Sequence, residues 1–157
     1  MRNVTLCFLL RGDEICLAMK KRGFGIGKWN GIGGKVKDGE TIEEAAVREL
    51  YEEIKVRANV ADLENVGNIK FYFNDKPDWN QRMYIYFINK WQGEPEESEE
   101  MAPKWYKKDE IPYKKMWVDD PHWLPKVLDG EKIEGEFYFN KDGAELDKFT
   151  VNELVIK

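Results

Sequence analysis

The chain has 157 residues, 42% of them hydrophobic and 35% charged, with a net charge of −5. That length and mixture suit one soluble domain with a sizeable core. The acidic balance and the lack of a basic stripe exclude tight, phosphate-led binding of duplex nucleic acid, and no apolar run is long enough for a signal peptide or a membrane span.

In chain order, VTLCFLL and ICLAMK read as two strands joined by a turn at RGDE. Cys7 and Cys16 form no C-x-x-C pair and read as buried thiols of a reducing, cytoplasmic compartment. A loop follows with glycines at 23, 25, 27, 31, 33, 34 and 39, richer than a connector needs. Thr41 and Glu44 make a T-x-x-E capping box, so a helix begins near Ile42 and runs to about Ile54. Residues 59–73 and 81–92 read as strands, GEPEESEEM as a solvated acidic loop, and KWYKKDEI as a short strand and turn. DDPHWLPKVLDG predicts a second helix with Asp119 as its N-cap, Pro121 at the first helical position and Gly130 past the end. Pro125 is expected to distort it. The tail, GEFYFNKDGAELDKFTVNEL, predicts a closing hairpin that turns at KDG. With no repeat and no linker, the expectation is a single domain over residues 1–157, of class α/β or α+β. The six Trp are many for this length, as occurs where a flat ring is recognised.

The stretch RELYEEIKV concentrates the chemistry. On a helical wheel Ile42, Ala45, Ala46 and Leu50 mark the inward side. Glu49, Glu52 and Glu53 fall in the same arc or at its edge. Like charges at this spacing repel, and burying carboxylates unpaired costs several kcal/mol each, on the order of the desolvation penalty of an ion. A hard divalent cation with oxygen ligands, Mg²⁺ above all, resolves the conflict.

Residues 34–56, GKVKDGETIEEAAVRELYEEIKV, resemble the Nudix box, G-x5-E-x7-R-E-U-x-E-E-x-G-U. Gly34, Glu40, Arg48, Glu49, Leu50, Glu52, Glu53 and Val56 fit; Lys55 stands where the family has Gly. The resemblance implies a mixed β-sheet sandwiched between helices, with the box as loop–helix–loop. It implies metal-assisted hydrolysis of a nucleoside diphosphate linked to another group. Glu49, Glu52 and Glu53 would hold Mg²⁺ (or Mn²⁺) with the Gly34 carbonyl, Glu40 and Arg48 would pair, and one of the acids would act as base. The family Gly turns the chain left-handed at the helix end, so Lys55 should cost about 1 kcal/mol or shift the cap.

Three further stretches, 19–36, 97–106 and 111–125, are similar to the branch of the Nudix family that cleaves oxidised purine nucleoside triphosphates such as 8-oxo-dGTP and 2-hydroxy-dATP to the monophosphate and pyrophosphate. Carried over by position, Asn30, Asp119 and Asp120 would read the base edge and Trp117 would stack on the base. Phe71 and Phe73 would line the pocket. Thr5 and Lys20 would line the base and sugar-phosphate side, and Glu100 would join the catalytic, metal-binding acids. WNQRM at 79–83 departs from that branch. Taken singly, these residues have plainer readings: Trp117 a core or docking residue, Asp119 a helix cap, Asn30 a turn residue, Glu100 one acid among five, His122 structural. Two other functions stay open. One is a Nudix hydrolase of ADP-ribose, a dinucleotide polyphosphate or an undamaged dNTP; the other is a non-catalytic nucleotide-binding module, which predicts loss of a box carboxylate. The expected partner is a small nucleotide, with no membrane and no duplex nucleic acid, and the expected state is a monomer.

Overall fold

A computed structural model describes residues 1–154. Strands β1 (Arg2–Arg11) and β2 (Glu14–Lys20) form the expected hairpin, and a two-residue strand β3 (Trp29–Asn30) follows inside the glycine loop. Helix α1 (Ile42–Ile54) leads to β4 (Leu63–Phe73), β5 (Gln81–Ile88) and β6 (Met101–Lys107). Helix α2 (Asp120–Leu128) and the hairpin β7 (Ile133–Asn140) and β8 (Glu145–Glu153) complete the chain. The strands make one mixed sheet in the order β3-β2-β1-β5-β4-β7-β8, with β6 also paired to β2. The pairs β1–β5 and β4–β7 are parallel.

Alternation along the strands builds two cores. On β1, Leu6 and Phe8 join a layer with Trp123, Leu124 and Val127 of α2. Cys7 and Leu9 join the opposite layer with Ala46, Leu50 and Ile54 of α1. Side chains of successive strand residues point to opposite faces, so the two helices sandwich the sheet. Leu50 and Ile54 are fully buried, each worth about 1.5–3 kcal/mol of apolar burial. Cys7 and Cys16 are both buried free thiols, as expected.

Both predicted helices form, with local corrections. Thr41 and Glu44 make the capping box in full. In α2, Asp119 is the N-cap by position, but its side chain makes no capping bond; Asp120 opens the helix and Pro121 comes second. The carboxylate of Asp119 is drawn instead to the Trp123 indole. The helix runs through Pro125. The bond lost there is to the Pro121 carbonyl, and both prolines are exposed, so water can satisfy it. The strand expected from residue 59 begins only at Leu63, after a 3₁₀ turn over Val60–Asp62.

Lys55 keeps the family's cap geometry at φ 63°, ψ 24°, with its N–H bonded to the Tyr51 carbonyl at 3.0 Å. The cap has not shifted, so the penalty falls on backbone strain. Lys55→Gly should therefore stabilise the fold by about 1 kcal/mol, raising Tm by about 2–4 °C. Thermal unfolding of the pair checks this; an unchanged or lowered Tm would mean that the lysine stem offsets the strain.

Candidate active site

The sheet ends, the glycine loop and the start of α2 enclose a cavity of about 270 Å³. Thr5, Lys20, Asn30, Gly34, Glu53, Phe71, Phe73, Trp117, Asp119 and Asp120 all line it. β1 supplies Thr5, β2 ends on Lys20, and β4 places Phe71 and Phe73 two residues apart on one face. Asn30 Oδ1 accepts the Gly31 N–H at 2.9 Å, which fixes the amide.

Close approach makes glycine necessary in the loop before α1. A Cβ on Gly33 would stand 1.7 Å from the Thr5 carbonyl oxygen. One on Gly34 would stand 2.6 Å from Glu49 Oε1. The Gly34 carbonyl accepts the Thr5 N–H at 2.9 Å and, more distantly, the Thr5 hydroxyl at 3.5 Å.

Arg48 organises the acids of α1. It donates to Glu40 through Nε and Nη2 at 2.9 and 2.8 Å, and to the Lys35 carbonyl at 3.0 Å. This two-pronged bond holds the Glu40 carboxyl down at about 2. Its Nη1 reaches Glu49 at 2.9 Å and Glu52 at 3.2 Å. Glu49 is mostly buried, its side chain 14% exposed, whereas Glu52 is 52% exposed and points outward. Of the three acids expected in the inward arc or at its edge, Glu49 and Glu53 are turned in and Glu52 lies at the exposed edge.

Glu53 is the acid that enters the cavity. Its Oε2 is buried without a hydrogen-bond partner. Burial, then the charge of Glu49, pushes its carboxyl up to about 8, against the pull of the Gly33 N–H and Lys20. Glu100 lies at the rim, bonded by Arg22 Nε at 2.9 Å, and its charge still reaches Glu53. Among the described residues no three His, Cys, Asp or Glu side chains converge on a metal-sized point. The donor set nevertheless fits a hard divalent cation: all ligands are oxygens, and Glu53 keeps a buried carboxyl oxygen with no hydrogen-bond partner.

At the other end of the cavity, Asp119 and Asp120 are both buried. Asp119 accepts the Trp123 Nε1–H at 2.8 Å. Burial raises its carboxyl, and the indole bond opposes the rise. Burial raises Asp120 well above the usual carboxylate range, the charge of Asp119 adds to this, and Asp120 Oδ2 has no partner. A proton held by either carboxyl would let that one donate while the other accepts.

Residues 1–127 match the family model described as the NUDIX domain. The chain belongs to the Nudix family. Two Nudix relatives are named oxidized purine nucleoside triphosphate hydrolase. The protein from Danio rerio is 46% identical, over 87% of this chain and 85% of its own length. The one from Mus musculus is 45% identical, over 88% and 86%. The crystal structure of the MutT protein from Bacillus halodurans superposes with a TM-score of 0.82 at 26% identity, covering 97% of this chain and 98% of that one. This chain is thus a Nudix hydrolase with the Nudix fold, an enzyme class that generally works with a divalent metal. No helix among the described residues is long and apolar enough to cross a membrane.

The structure gathers ten of the residues expected at the Nudix site around one cavity and leaves Glu49, Glu52 and Glu100 off its lining. Sequence reading missed Phe24, Lys28, Gln81, Met101, Phe139 and Gly143, which also line it. Phe24 carried a signal, an aromatic set among glycines. Gly143 carried none, because only the closing of the β7–β8 hairpin brings it within reach of Trp117. His122 is exposed and packs on Phe149, with ring centroids 4.3 Å apart.

Proposed function

We propose that this Nudix hydrolase cleaves oxidised purine (deoxy)nucleoside triphosphates, 8-oxo-dGTP and 2-hydroxy-dATP among them, to the monophosphate and pyrophosphate, clearing damaged bases from the nucleotide pool. The observation that carries the reading is the buried pair Asp119 and Asp120 in an aromatic cavity whose far wall is Glu53 of the Nudix helix. The names of the Danio rerio and Mus musculus relatives support it. In this reading the chain works as one Nudix domain and as a monomer, in the reducing cytoplasm that suits its two thiols.

Trp117 stacks on the purine between the walls set by Phe71 and Phe73. Asn30, held by Gly31, offers its amide N–H donors to the base edge, beside the two aspartates. Thr5 and Lys20 face the sugar and phosphates, with Lys20 supplying positive charge. Glu49, Glu52 and Glu53, with the Gly34 carbonyl and Glu100, would hold Mg²⁺, with Mn²⁺ as substitute. Such a cation neutralises phosphate oxygens and lowers the pKa of a bound water. Arg48 keeps Glu40, Glu49 and Glu52 in register, and Arg22 holds Glu100 at the rim.

Hydrolysis in heavy-oxygen water tests the bond that breaks. The label is expected in the monophosphate or in pyrophosphate; label in inorganic monophosphate would overturn the assignment of products. A nucleotide panel with Mg²⁺ tests the substrate class. Faster turnover of ADP-ribose, a dinucleotide polyphosphate or an undamaged dNTP would replace this substrate with another of the family.

A further inference from the structure

Phe24 sits in an unusual setting. Its neighbours Gly23 and Gly25 have φ of 84° and 85°, and Gly27 follows at 83°. Glycines in this region leave the backbone free to choose other conformations. The Phe24 side chain lines the cavity, yet the residue remains 56% exposed. Two indoles hold its ring: Trp117 and Trp79, each with its centroid 5.1 Å away. Trp117 is itself a cavity wall. Trp79 is not among the lining residues, so its contribution must pass through another side chain.

Trp79 is firmly placed. It closes a 3₁₀ turn, Pro77–Trp79, and its N–H donates to the Lys76 carbonyl at 2.9 Å. Its ring meets Phe73 edge-on, centroids 5.7 Å apart at 74°. Lys76 Nζ lies 4.6 Å from the ring centroid and 3.9 Å from Asp142 Oδ2, which links the turn to the β7–β8 hairpin. The next residue, Asn80, accepts the Phe73 N–H at 2.8 Å. A post fixed to the sheet thus stands beside a phenyl ring on a glycine loop.

We infer that Trp79 is a positioning residue for nucleotide binding: it holds Phe24 over the cavity mouth and so keeps the glycine loop in its base-covering arrangement. The inference rests on the reading that the cavity takes a purine, and it adds a residue outside the cavity that sets affinity. An edge-on aromatic pair shifts such an equilibrium by about two- to tenfold beyond its share of apolar burial. Affinity falls by the fraction of molecules that lose the competent arrangement.

The test compares Trp79→Ala, Trp79→Phe and Phe24→Ala, with the double variant. Amide hydrogen exchange of residues 22–28 is read without nucleotide, with amides of α1 as the control for global loosening. KM and kcat are read on 8-oxo-dGTP, and Kd on the monophosphate. Trp79→Ala should speed loop exchange and raise both KM and Kd by about two- to tenfold, with kcat within about twofold, the pattern of lost uniform binding. Trp79→Phe should restore most of the loss. On a Phe24→Ala background, Trp79→Ala should add nothing. Multiplying effects of the two alanines, or loop exchange that rises only in step with α1, would overturn the inference. The exchange arm contains no nucleotide, so its success beside a wild-type protein that binds no purine nucleotide would uphold the role of Trp79 and reject the purine reading alone.

Discussion

Glu53→Gln should lower hydrolysis on the order of a thousandfold with Mg²⁺ saturating, because it removes charge from the acid that enters the cavity and keeps its volume. Glu53 has the buried, unpartnered oxygen, whereas Glu52 is half exposed and held by Arg48. Glu52→Gln should accordingly cost less than Glu53→Gln. Metal-free stability moves the other way. The folded carboxyl is raised to about 8 from an ordinary 4.5, so its ionisation opposes folding. The penalty is absent below the unfolded value, grows as pH rises from 4.5 towards 8, and is then constant. In a chelator at pH 8 the Gln variant should melt higher than the parent, and at pH 4 the difference should vanish. Near-parental turnover of Glu53→Gln would remove this residue from the metal site. Equal melting at pH 8 would remove the charge conflict.

Asp119→Asn and Asp120→Asn should each change the ratio of kcat/KM for 8-oxo-dGTP against 2-hydroxy-dATP, on the order of tenfold, while Glu53→Gln lowers both substrates alike. The reason lies in the proton. Both carboxyls are raised by burial, and Asp120 the further because ionised Asp119 lies beside it. The pair therefore keeps a proton at pH values where exposed carboxyls have lost theirs. With the proton on one residue, the pair offers a donor and an acceptor to an oxidised guanine; moved to the other, it meets an oxidised adenine. An Asn fixes one arrangement. It also leaves a buried partner unsatisfied for the other base, which is how a hydrogen-bonding site rejects a mismatch. The folded values are raised, so the shared proton is present at low pH and is lost as pH climbs through them, and activity on both substrates should fall in that direction. Stability falls as pH rises from the ordinary carboxylate value of 3.8 towards the raised folded values and is level above them. kcat/KM for both substrates, measured across pH in the three proteins, decides the matter. A ratio identical in all three at every pH would reduce the pair to structural acids, with Asp119 anchoring Trp123.

Much of this was legible because the relevant physics is local. Thr41 and Glu44 lie within one turn, so a capping box can be read without knowing the fold. Alternation along VTLCFLL splits Leu6 and Phe8 from Cys7 and Leu9 whatever lies above and below. The box of residues 34–56 is continuous, so its glycine loop and acids could be recognised together. Lys55 shows the strength of such local order: a lysine adopts the left-handed cap because Val56 and Ile54 are both buried and leave the chain no other exit.

What the sequence could not decide depends on approach in space. Three glutamates share a stretch of helix, yet only Glu53 lines the cavity; Arg48 pairs with Glu49 and Glu52, and Glu52 stays half exposed. Asp119 has the sequence position of a helix cap, but the buried indole four residues on outcompetes the backbone for its carboxylate. Phe24 meets Trp79, and Gly143 approaches Phe73 and Trp117, across three separate turns, so these contacts form only in the folded chain. Local propensity names the chemical groups this chain can bring to bear. The packing of the sheet between two helices decides which of them are desolvated, and desolvation is what turns a carboxylate from a surface charge into a ligand or a proton store.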